Sequence, residues 1–314
     1  MMRAFAIARY GVPPALLELP EPTGPEVAVH VRFAGVNPID WKAIDRLSED
    51  DQFPYVPGQD FAGVATHVEG DPGVERRDRI FGIAQAYGTY AEATLVPELT
   101  AGEAVARIPD GLGFEEAAAL PTAGLAALAA LDVLRVGRGT TLAIVGATGG
   151  VGSYATQIAK ARGAHVIAIV RDDVDDARVL GADEAIDVSA GDPIAAIRRA
   201  HSDGITAILD VVSSPDAVAR DLDALDRGGR IASTIYALDE KKVRERGFEA
   251  HNVNLREMPQ ASADGLTRLA EMVLSGIVRV RIAEVQPLAN AADVLDRGKR
   301  GQIRGGKALL QVSG

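Results

Sequence analysis

A run of small residues between positions 145 and 152 is the strongest chemical signal in the sequence. It reads Val145-Gly146-Ala147-Thr148-Gly149-Gly150-Val151-Gly152. An apolar segment precedes the run and an amphipathic pattern follows it, so it should connect a strand to a helix. Backbone N–H groups at such a helix start, with no Cβ in the way, can bind the phosphates of a nucleotide. The run therefore predicts a dinucleotide-binding loop, in which Ala147 replaces the first glycine of the usual pattern.

The residues that follow the next predicted strand bear on the choice of nucleotide. Folds that bind NAD usually place a carboxylate about 20 residues beyond the glycines, where it accepts a hydrogen bond from the ribose 2′-hydroxyl. Arg171 stands at that point, and a guanidinium can form charge-assisted hydrogen bonds to a 2′-phosphate. We therefore predict NADPH as the cofactor. In the alternative, Arg171 is a solvated surface residue and the acid is shifted by one position, to Asp172.

Alternating strands and helices surround the loop and must position it. The predicted strands are Thr140–Val145, His165–Val170, Glu184–Val188, Ile205–Val211 and Arg230–Thr234. The predicted helices between them are Val151–Arg162, Asp175–Gly181, Pro193–His201 and Pro215–Leu225. Repeated βαβ units indicate a parallel, doubly wound sheet, and hence an α/β fold of the Rossmann type.

The residues up to about Pro109 follow a different pattern, of short strands separated by Pro and Gly turns. The strands predicted there are Glu26–Phe33, Gly63–Val68, Arg79–Ile83 and Tyr90–Val96. Such spacing predicts an irregular, mostly antiparallel β-barrel. After Asn254 the pattern predicts a helix at Ala263–Ser275, a strand near Ala283–Val285, a helix at Ala291–Arg300 and a strand at Ala308–Val312.

The composition limits the classes of protein. The chain has 314 residues, of which 47% are hydrophobic and 25% charged, a balance typical of globular proteins. It has no cysteine, which excludes disulfides, thiolate catalysis and cysteine-ligated metals. The net charge of −11 disfavours binding to nucleic acids or anionic membranes. With neither a membrane-spanning stretch nor a signal peptide in the sequence, we expect a cytoplasmic protein.

Seven short motifs occur in one order along nearly the whole chain. Besides the glycine loop they are Gly35–Asp40, Val56–Gly63, Asp78–Gly82, Gly88–Glu92, Ala117–Pro121 and Gly305–Leu309. Together they resemble the quinone oxidoreductase (zeta-crystallin-like) branch of the medium-chain dehydrogenase/reductase superfamily. The resemblance implies a GroES-like catalytic domain made of residues 1–110 and 257–314. It also implies a Rossmann NADPH-binding domain of residues 111–256, an active site between the two domains, and a homodimer.

The resemblance also implies that the chain works without zinc. Zinc-dependent alcohol dehydrogenases, the sister branch, carry Cys and His-Glu where this chain has Asn37 and Gln59-Asp60. They also insert a four-cysteine lobe where this chain passes from Gly82 to Gly88 in a few residues. No two of the five histidines stand at metal-ligand spacing, so we assign structural or surface roles to them and expect no metal.

Without zinc, the oxidation of an alcohol lacks its Lewis acid. A quinone or an α,β-unsaturated carbonyl is already polarised, and needs mainly hydrogen-bond donors for the oxygen that gains charge. We therefore expect NADPH-dependent transfer of hydride to such a small molecule. One alternative is an enoyl or 2-alkenal double-bond reductase. A second alternative is a non-catalytic NADPH-binding structural or RNA-contacting protein.

The matched motifs assign roles to individual residues. Asn37 and Asp40 match the family's active-site segment, and Lys42 lies where many relatives carry a tyrosine, so these three are the catalytic candidates. In the alternatives, the Asn37 amide fixes a loop and Lys42 is solvated. Further candidate cofactor contacts are Thr122, Ser213, Thr234 and Lys307, and candidate proton donors are Tyr55, Tyr87 and Tyr90. Asp60 is interpreted as a structural residue.

Overall fold

The computed structural model of the chain describes residues 1–24, 27–67, 73–84, 88–96 and 104–313. These form two compact units. The first comprises Met1–Ala123, Ala261–Ser275 and Val280–Gly314, and the second comprises Gly124–Gln260 and Gly276–Arg279. Glu26, Val68 and Tyr87, which the sequence analysis placed in strands or at a site, lie outside the described residues. The functional domain boundaries at residues 110 and 256 stay a prediction.

The first unit opens with short strands, because apolar residues alternate between Pro and Gly turns. Its elements are β1 (Met2–Ala6), β2 (Ala15–Leu19), β3 (Val27–Gly35), α1 (Pro38–Ile44), β4 (Asp60–His67), β5 (Arg79–Ile83), β6 (Ala93–Val96), β7 (Val105–Arg107) and α2 (Phe114–Ala119). The next helix, α3 (Pro121–Val133), begins in this unit and continues into the second. On β3, the alternate residues Val27, Val29 and Val31 are buried. The strand predicted to begin at Tyr90 begins at Ala93 instead, since Tyr90 lies in the turn before β6.

The second unit is built around a six-stranded parallel sheet. Its elements are β8 (Thr141–Val145), α4 (Gly150–Ala161), β9 (His165–Val170), α5 (Val174–Val179), β10 (Glu184–Asp187), α6 (Pro193–Ala200), β11 (Ile205–Asp210), α7 (Pro215–Asp221), β12 (Leu225–Ser233), α8 (Glu240–Glu245) and β13 (Glu249–Asn252). The strand order is β10-β9-β8-β11-β12-β13, and every neighbouring pair is parallel. The predicted doubly wound sheet is confirmed.

Two features of this unit were not expected from the sequence. The sheet has a sixth strand, β13, which the sequence analysis missed because its residues Glu-Ala-His-Asn carry little apolar pattern. The spacing of the histidines along the sequence also gave no sign that two of them meet in the structure. The register of β9 and β10 and the end of α6 bring His165 and His201 to the same carboxylate, that of Glu184.

The C-terminal residues return to the first unit and complete its larger sheet. They form α9 (Ala263–Leu274), β14 (Ile282–Pro287), α10 (Ala291–Lys299) and β15 (Lys307–Gln311). The seven-stranded sheet has the order β14-β15-β3-β4-β5-β7, with β6 also paired to β3. Its pairs are antiparallel apart from β14 with β15, while β1 and β2 form a separate antiparallel pair. Among the described residues, no helix is both long enough and apolar enough to cross a membrane.

Candidate functional site

The glycine loop connects β8 to α4, as predicted. Gly149 is the N-cap of α4, has an extended backbone (φ −74°, ψ −176°) and provides no side-chain cap. The first N–H groups of a helix have no partner within the helix, and the aligned peptide dipoles make that end positive. This uncapped start fits a phosphate anion, so the described residues suit the pyrophosphate of a dinucleotide.

The glycines of the loop serve different purposes. Gly146 has φ +85°, a left-handed conformation that favours glycine. A Cβ on Gly152 would lie 2.0 Å from the carbonyl oxygen of Gly146, so the packing of α4 on the loop requires glycine there. A Cβ on Gly149 would meet only the same oxygen, at 3.4 Å, which is an ordinary contact. The fold therefore requires Gly152, whereas it leaves space at Gly149.

A cleft of about 600 Å³ lies next to the loop at the carboxyl ends of β8, β9 and β11. Val145, Ile169, Arg171, Ser213 and Arg220 are among the residues that line it. The strand order reverses between β8 and β11, and such a switch point is where open α/β sheets bind their ligands. The cleft and the uncapped start of α4 thus both lie at the carboxyl ends of the parallel strands, where a dinucleotide would bind.

Arg171 and Asp172 differ in what they face. Arg171 is exposed and lines the cleft. Asp172 has φ +64°, and its carboxylate accepts a hydrogen bond from the Ser189 hydroxyl at 3.4 Å. The arrangement favours Arg171 over Asp172 as the group that would meet the adenosine ribose.

Asp210 accepts hydrogen bonds from Ser213 and Thr234, the two candidate cofactor contacts at strand ends. Its Oδ1 accepts a hydrogen bond from the Ser213 N–H at 2.9 Å, and its carbonyl oxygen accepts one from the Thr234 N–H at 3.2 Å. Asp210 is fully buried, and among the described residues its Oδ2 has no hydrogen-bond partner. The sequence analysis missed this residue, although an acidic residue at the end of an otherwise apolar strand could have marked it as a candidate site residue.

The cleft is not uniformly cationic. Asp192, Asp221 and Asp223 line it together with the two arginines. Burial raises the pKa of Asp221 to about 6, and the negative charge of Asp210 contributes to the shift.

Thr148 and Ala147 of the glycine loop form hydrogen bonds with other residues of the second unit. The Thr148 hydroxyl donates to Asp173 Oδ2 at 3.2 Å, and the Ala147 carbonyl accepts from the Thr156 hydroxyl at 3.2 Å. Both residues are buried. Their predicted contribution to cofactor binding would therefore come from their backbone N–H groups.

In the first unit, the catalytic candidates Asn37 and Asp40 lie in one buried network. The Asn37 N–H donates to Asp40 Oδ2 at 2.8 Å across the first turn of α1. The Tyr90 hydroxyl donates to the same oxygen at 2.8 Å, and Asp40 Oδ1 has no hydrogen-bond partner among the described residues. The Asn37 side chain donates to Asp60 Oδ2 at 2.8 Å, which extends the network to β4.

Lys307 and Thr122 complete this network. The Lys307 ammonium donates to the Val36 carbonyl at 2.7 Å and to Asn37 Oδ1, and its Nζ lies 4.0 Å from Asp60 Oδ2. The Thr122 hydroxyl donates to Asp60 Oδ1 at 2.5 Å. Lys307 is therefore tied to the network through its ammonium group, and Thr122 through its hydroxyl. The sequence analysis had assigned both to the cofactor, and that role stays a prediction.

The charges of the network are unbalanced, since Asp40 and Asp60 face a single ammonium. Burial raises the pKa of Asp40 to about 7, although hydrogen bonds from Asn37 and Tyr90 oppose the shift. Burial also raises the pKa of Asp60, against the charge of Lys307, and it lowers the pKa of Lys307. Asp40 is therefore expected to change its protonation state near neutral pH.

The remaining candidates lie elsewhere. Lys42 is exposed on α1. Tyr55 exchanges backbone hydrogen bonds with Ile7, and Tyr87 lies outside the described residues. The hydrogen bonds described above join Asn37, Asp40, Asp60, Tyr90, Thr122 and Lys307.

Comparison with known families agrees with this architecture. Residues 23–110 match the alcohol dehydrogenase GroES-like domain, and residues 150–259 match the zinc-binding dehydrogenase family. The quinone oxidoreductase of Rattus norvegicus is 30% identical over 242 residues, which cover 74% of this chain and 72% of that protein. The chain belongs to the quinone oxidoreductase-like branch of the medium-chain dehydrogenase/reductase superfamily. It is therefore an oxidoreductase of that superfamily.

Solved structures of the superfamily confirm the fold. The quinone oxidoreductase of Pseudomonas syringae pv. Tomato DC3000 matches with a TM-score of 0.87 and 26% identity over 99% of this chain and 100% of that chain. An NAD-dependent alcohol dehydrogenase matches with a TM-score of 0.85 and 28% identity over 99% and 100%. Members of this superfamily use a nicotinamide cofactor, which agrees with the glycine loop and the cleft.

Proposed function

We propose that this chain is an NADPH-dependent oxidoreductase that reduces a quinone or a related α,β-unsaturated carbonyl without catalytic zinc. The observation that carries the proposal is the uncapped start of α4 at the edge of the cleft that Arg171 lines. NADPH, when bound, supplies the hydride. The protein binds the cofactor and the acceptor, orients them, and sets the electrostatic potential around the reacting atoms.

Three parts of the second unit would hold the cofactor. The free N–H groups in the first turn of α4 would donate to the pyrophosphate, where Gly149 permits close approach. The Arg171 guanidinium would bind the 2′-phosphate. Ser213, fixed by Asp210, would contact the adenosine half in the cleft.

The contacts of Asn37 support a reaction without zinc. Asn37 corresponds to a zinc ligand of the sister branch, yet its amide is committed to Asp60 and Lys307. The buried ammonium of Lys307 would also repel a divalent cation at that position. An acceptor that is polarised before it binds does not need such a Lewis acid.

A screen of acceptors tests the proposal. Purified chain is mixed with NADPH and with naphthoquinones, enones, 2-alkenals or simple aldehydes, and the loss of NADPH absorbance is followed. Turnover is expected with quinones or enones, and none is expected when NADP⁺ is mixed with simple alcohols. Turnover restricted to alcohols, or NADPH binding with no turnover of any acceptor, would contradict the proposal and in the latter case favour a non-catalytic role.

The same assay checks the independence from zinc. Extended treatment with a chelator should leave the rate of NADPH oxidation unchanged, because the sister branch's zinc ligands are replaced by Asn37 and Gln59. A rate that disappears on chelation and returns with added zinc would show that catalysis depends on the metal.

Arg171→Ala tests the choice of cofactor. Loss of a hydrogen bond to a charged group costs about 1.5–3 kcal/mol, so NADPH should bind roughly tenfold to a hundredfold more weakly. NADH affinity should barely change, because NADH lacks the 2′-phosphate. The measurement is titration of cofactor fluorescence, with Arg178→Ala as the matched control, since Arg178 is exposed and pairs with Asp175 on α5. Equal losses for NADPH and NADH would show that Arg171 does not recognise the 2′-phosphate.

A further inference from the structure

A cluster of two histidines and one glutamate lies at the amino-terminal ends of the parallel strands, whereas the glycine loop lies at their carboxyl ends. His165 is the first residue of β9, Glu184 is the first residue of β10, and His201 follows the last residue of α6. The glycine-loop edge lies beyond Val170, roughly 16 Å away along β9 at about 3.3 Å per residue. The cluster is therefore separate from the proposed cofactor site, and its properties do not depend on the proposed reaction.

Both imidazoles point at one carboxylate oxygen. His165 Nε2 lies 2.6 Å from Glu184 Oε1, and His201 Nε2 lies 3.0 Å from the same atom. The two rings meet edge to face, with centroids 5.8 Å apart. One ligand atom from each residue lies within 4.8 Å of the other two, so a single ion could reach all three.

We propose that His165, Glu184 and His201 form a divalent-cation site that takes zinc, with solvent completing its coordination shell. Two imidazole nitrogens and one carboxylate are a ligand set that zinc uses in proteins, and they leave a fourth position for water. Zinc bonds of about 2.0–2.1 Å in a tetrahedron place ligand atoms about 3.3 Å apart, so each histidine nitrogen needs to move away from the Glu184 oxygen by less than about 1 Å. The side chains are 42%, 34% and 22% exposed for His165, Glu184 and His201, so the ion and its water can enter.

The surroundings of the cluster suit a cation. Lys160 already pairs with Asp183, which leaves the charge of Glu184 for the ion. When Nε2 of His165 binds a metal, its proton resides on Nδ1, which lies 3.9 Å from Asp183 Oδ2. A carboxylate is one of the usual hydrogen-bond partners of the second nitrogen of a metal-bound histidine, and Asp183 would need to move about 1 Å closer to accept that bond.

A bound ion would join three separate elements of the second unit. The first residues of β9 and β10 and the end of α6 are otherwise linked here by side-chain hydrogen bonds between partly exposed groups. Because an ion that binds only the folded chain stabilises it, zinc should raise the melting temperature of the protein.

Zinc titration of the tag-free, chelator-treated full chain tests the site. Calorimetry should show one equivalent of Zn²⁺ bound, and cobalt in its place should give the visible absorption bands of a low-symmetry, imidazole-containing site. His165→Ala, His201→Ala and the near-isosteric Glu184→Gln should each weaken zinc binding at least about tenfold, because even a second-shell partner is worth that much. His251→Ala is the matched control, since His251 is a half-exposed histidine of the same unit outside the cluster, and it should bind zinc like the parent.

Melting curves without metal establish that each variant is folded, and Glu184→Gln keeps the test valid if a histidine variant is not. Absence of saturable zinc uptake by the parent would overturn the proposal. Uptake that the three cluster substitutions leave unchanged would do the same, and would leave a hydrogen-bonded His–Glu–His group. Because NADPH oxidation is measured separately, its presence or absence does not decide this outcome.

Discussion

Asp40→Asn is expected to remove much of the pH dependence of the protein's stability between about pH 4 and pH 7. The ordinary pKa of an aspartate is 3.8, and burial raises the pKa of Asp40 to about 7 in the folded chain. Between these values the folded state holds a proton that the unfolded state has released, so the free energy of unfolding of the parent falls as the pH rises. At 1.36 kcal/mol per pKa unit, the fall is about 4 kcal/mol at most. The asparagine variant has no proton to lose at this position.

The comparison requires melting temperatures or denaturant unfolding of both proteins at pH 5 and pH 8. Because the unfolded chain has already released this proton at pH 5, the variant should be more stable than the parent there by at most about 2 kcal/mol, and the difference should widen to at most about 4 kcal/mol at pH 8. Tyr90→Phe gives a second test, because it removes a hydrogen bond that lowers the pKa of Asp40. The pKa of Asp40 should rise further in this variant, so its free energy of unfolding should continue to fall up to a higher pH than in the parent. Equal pH slopes in the parent and in Asp40→Asn would show that Asp40 is not the group that titrates.

The features that could be predicted from the sequence are those set by neighbouring residues. The glycine loop, the strand before it and the helix after it depend on a local pattern, and the structure confirms their order. Arg171 was found at a strand end for the same reason. The strands β8, β9, β11 and β12 have buried apolar residues, which give a strong signal. By contrast, β13 has one buried residue, Ala250, and gives almost none.

The features that were missed depend on contacts between distant parts of the chain. Tyr90 reaches Asp40 only because the strands of the first unit pair, and Lys307 reaches Asn37 only because β15 pairs with β3. The joining of His165 and His201 requires the parallel register of β9 and β10. No spacing in the sequence encodes these contacts. One local signal was available, since Asn37 and Asp40 stand three residues apart around Pro38 and form a capping box at the start of α1.

Gly149→Val is expected to abolish the binding of NADPH while leaving the chain folded. A Cβ at Gly149 meets only the Gly146 carbonyl oxygen, at 3.4 Å, so the first side-chain atom has room, and an apolar residue at the N-cap of α4 should cost about 1 kcal/mol. The isopropyl group would then stand where the pyrophosphate must approach the first N–H groups of the helix. Loss of two hydrogen bonds to a charged group, at about 1.5–3 kcal/mol each, weakens binding by at least about a hundredfold.

Two glycine variants of the same loop separate binding from folding. Gly150→Ala should bind NADPH only slightly less well, because the dinucleotide pattern tolerates other residues at that position. Gly152→Ala should lower the melting temperature, because its Cβ would lie 2.0 Å from the Gly146 oxygen and 2.8 Å from the Ala147 Cα. The measurements are NADPH fluorescence titration and a melting curve for each variant. If Gly149→Val melts near the parent temperature and binds NADPH as the parent does, the cofactor does not bind at this loop, and the proposed reaction loses its main physical support.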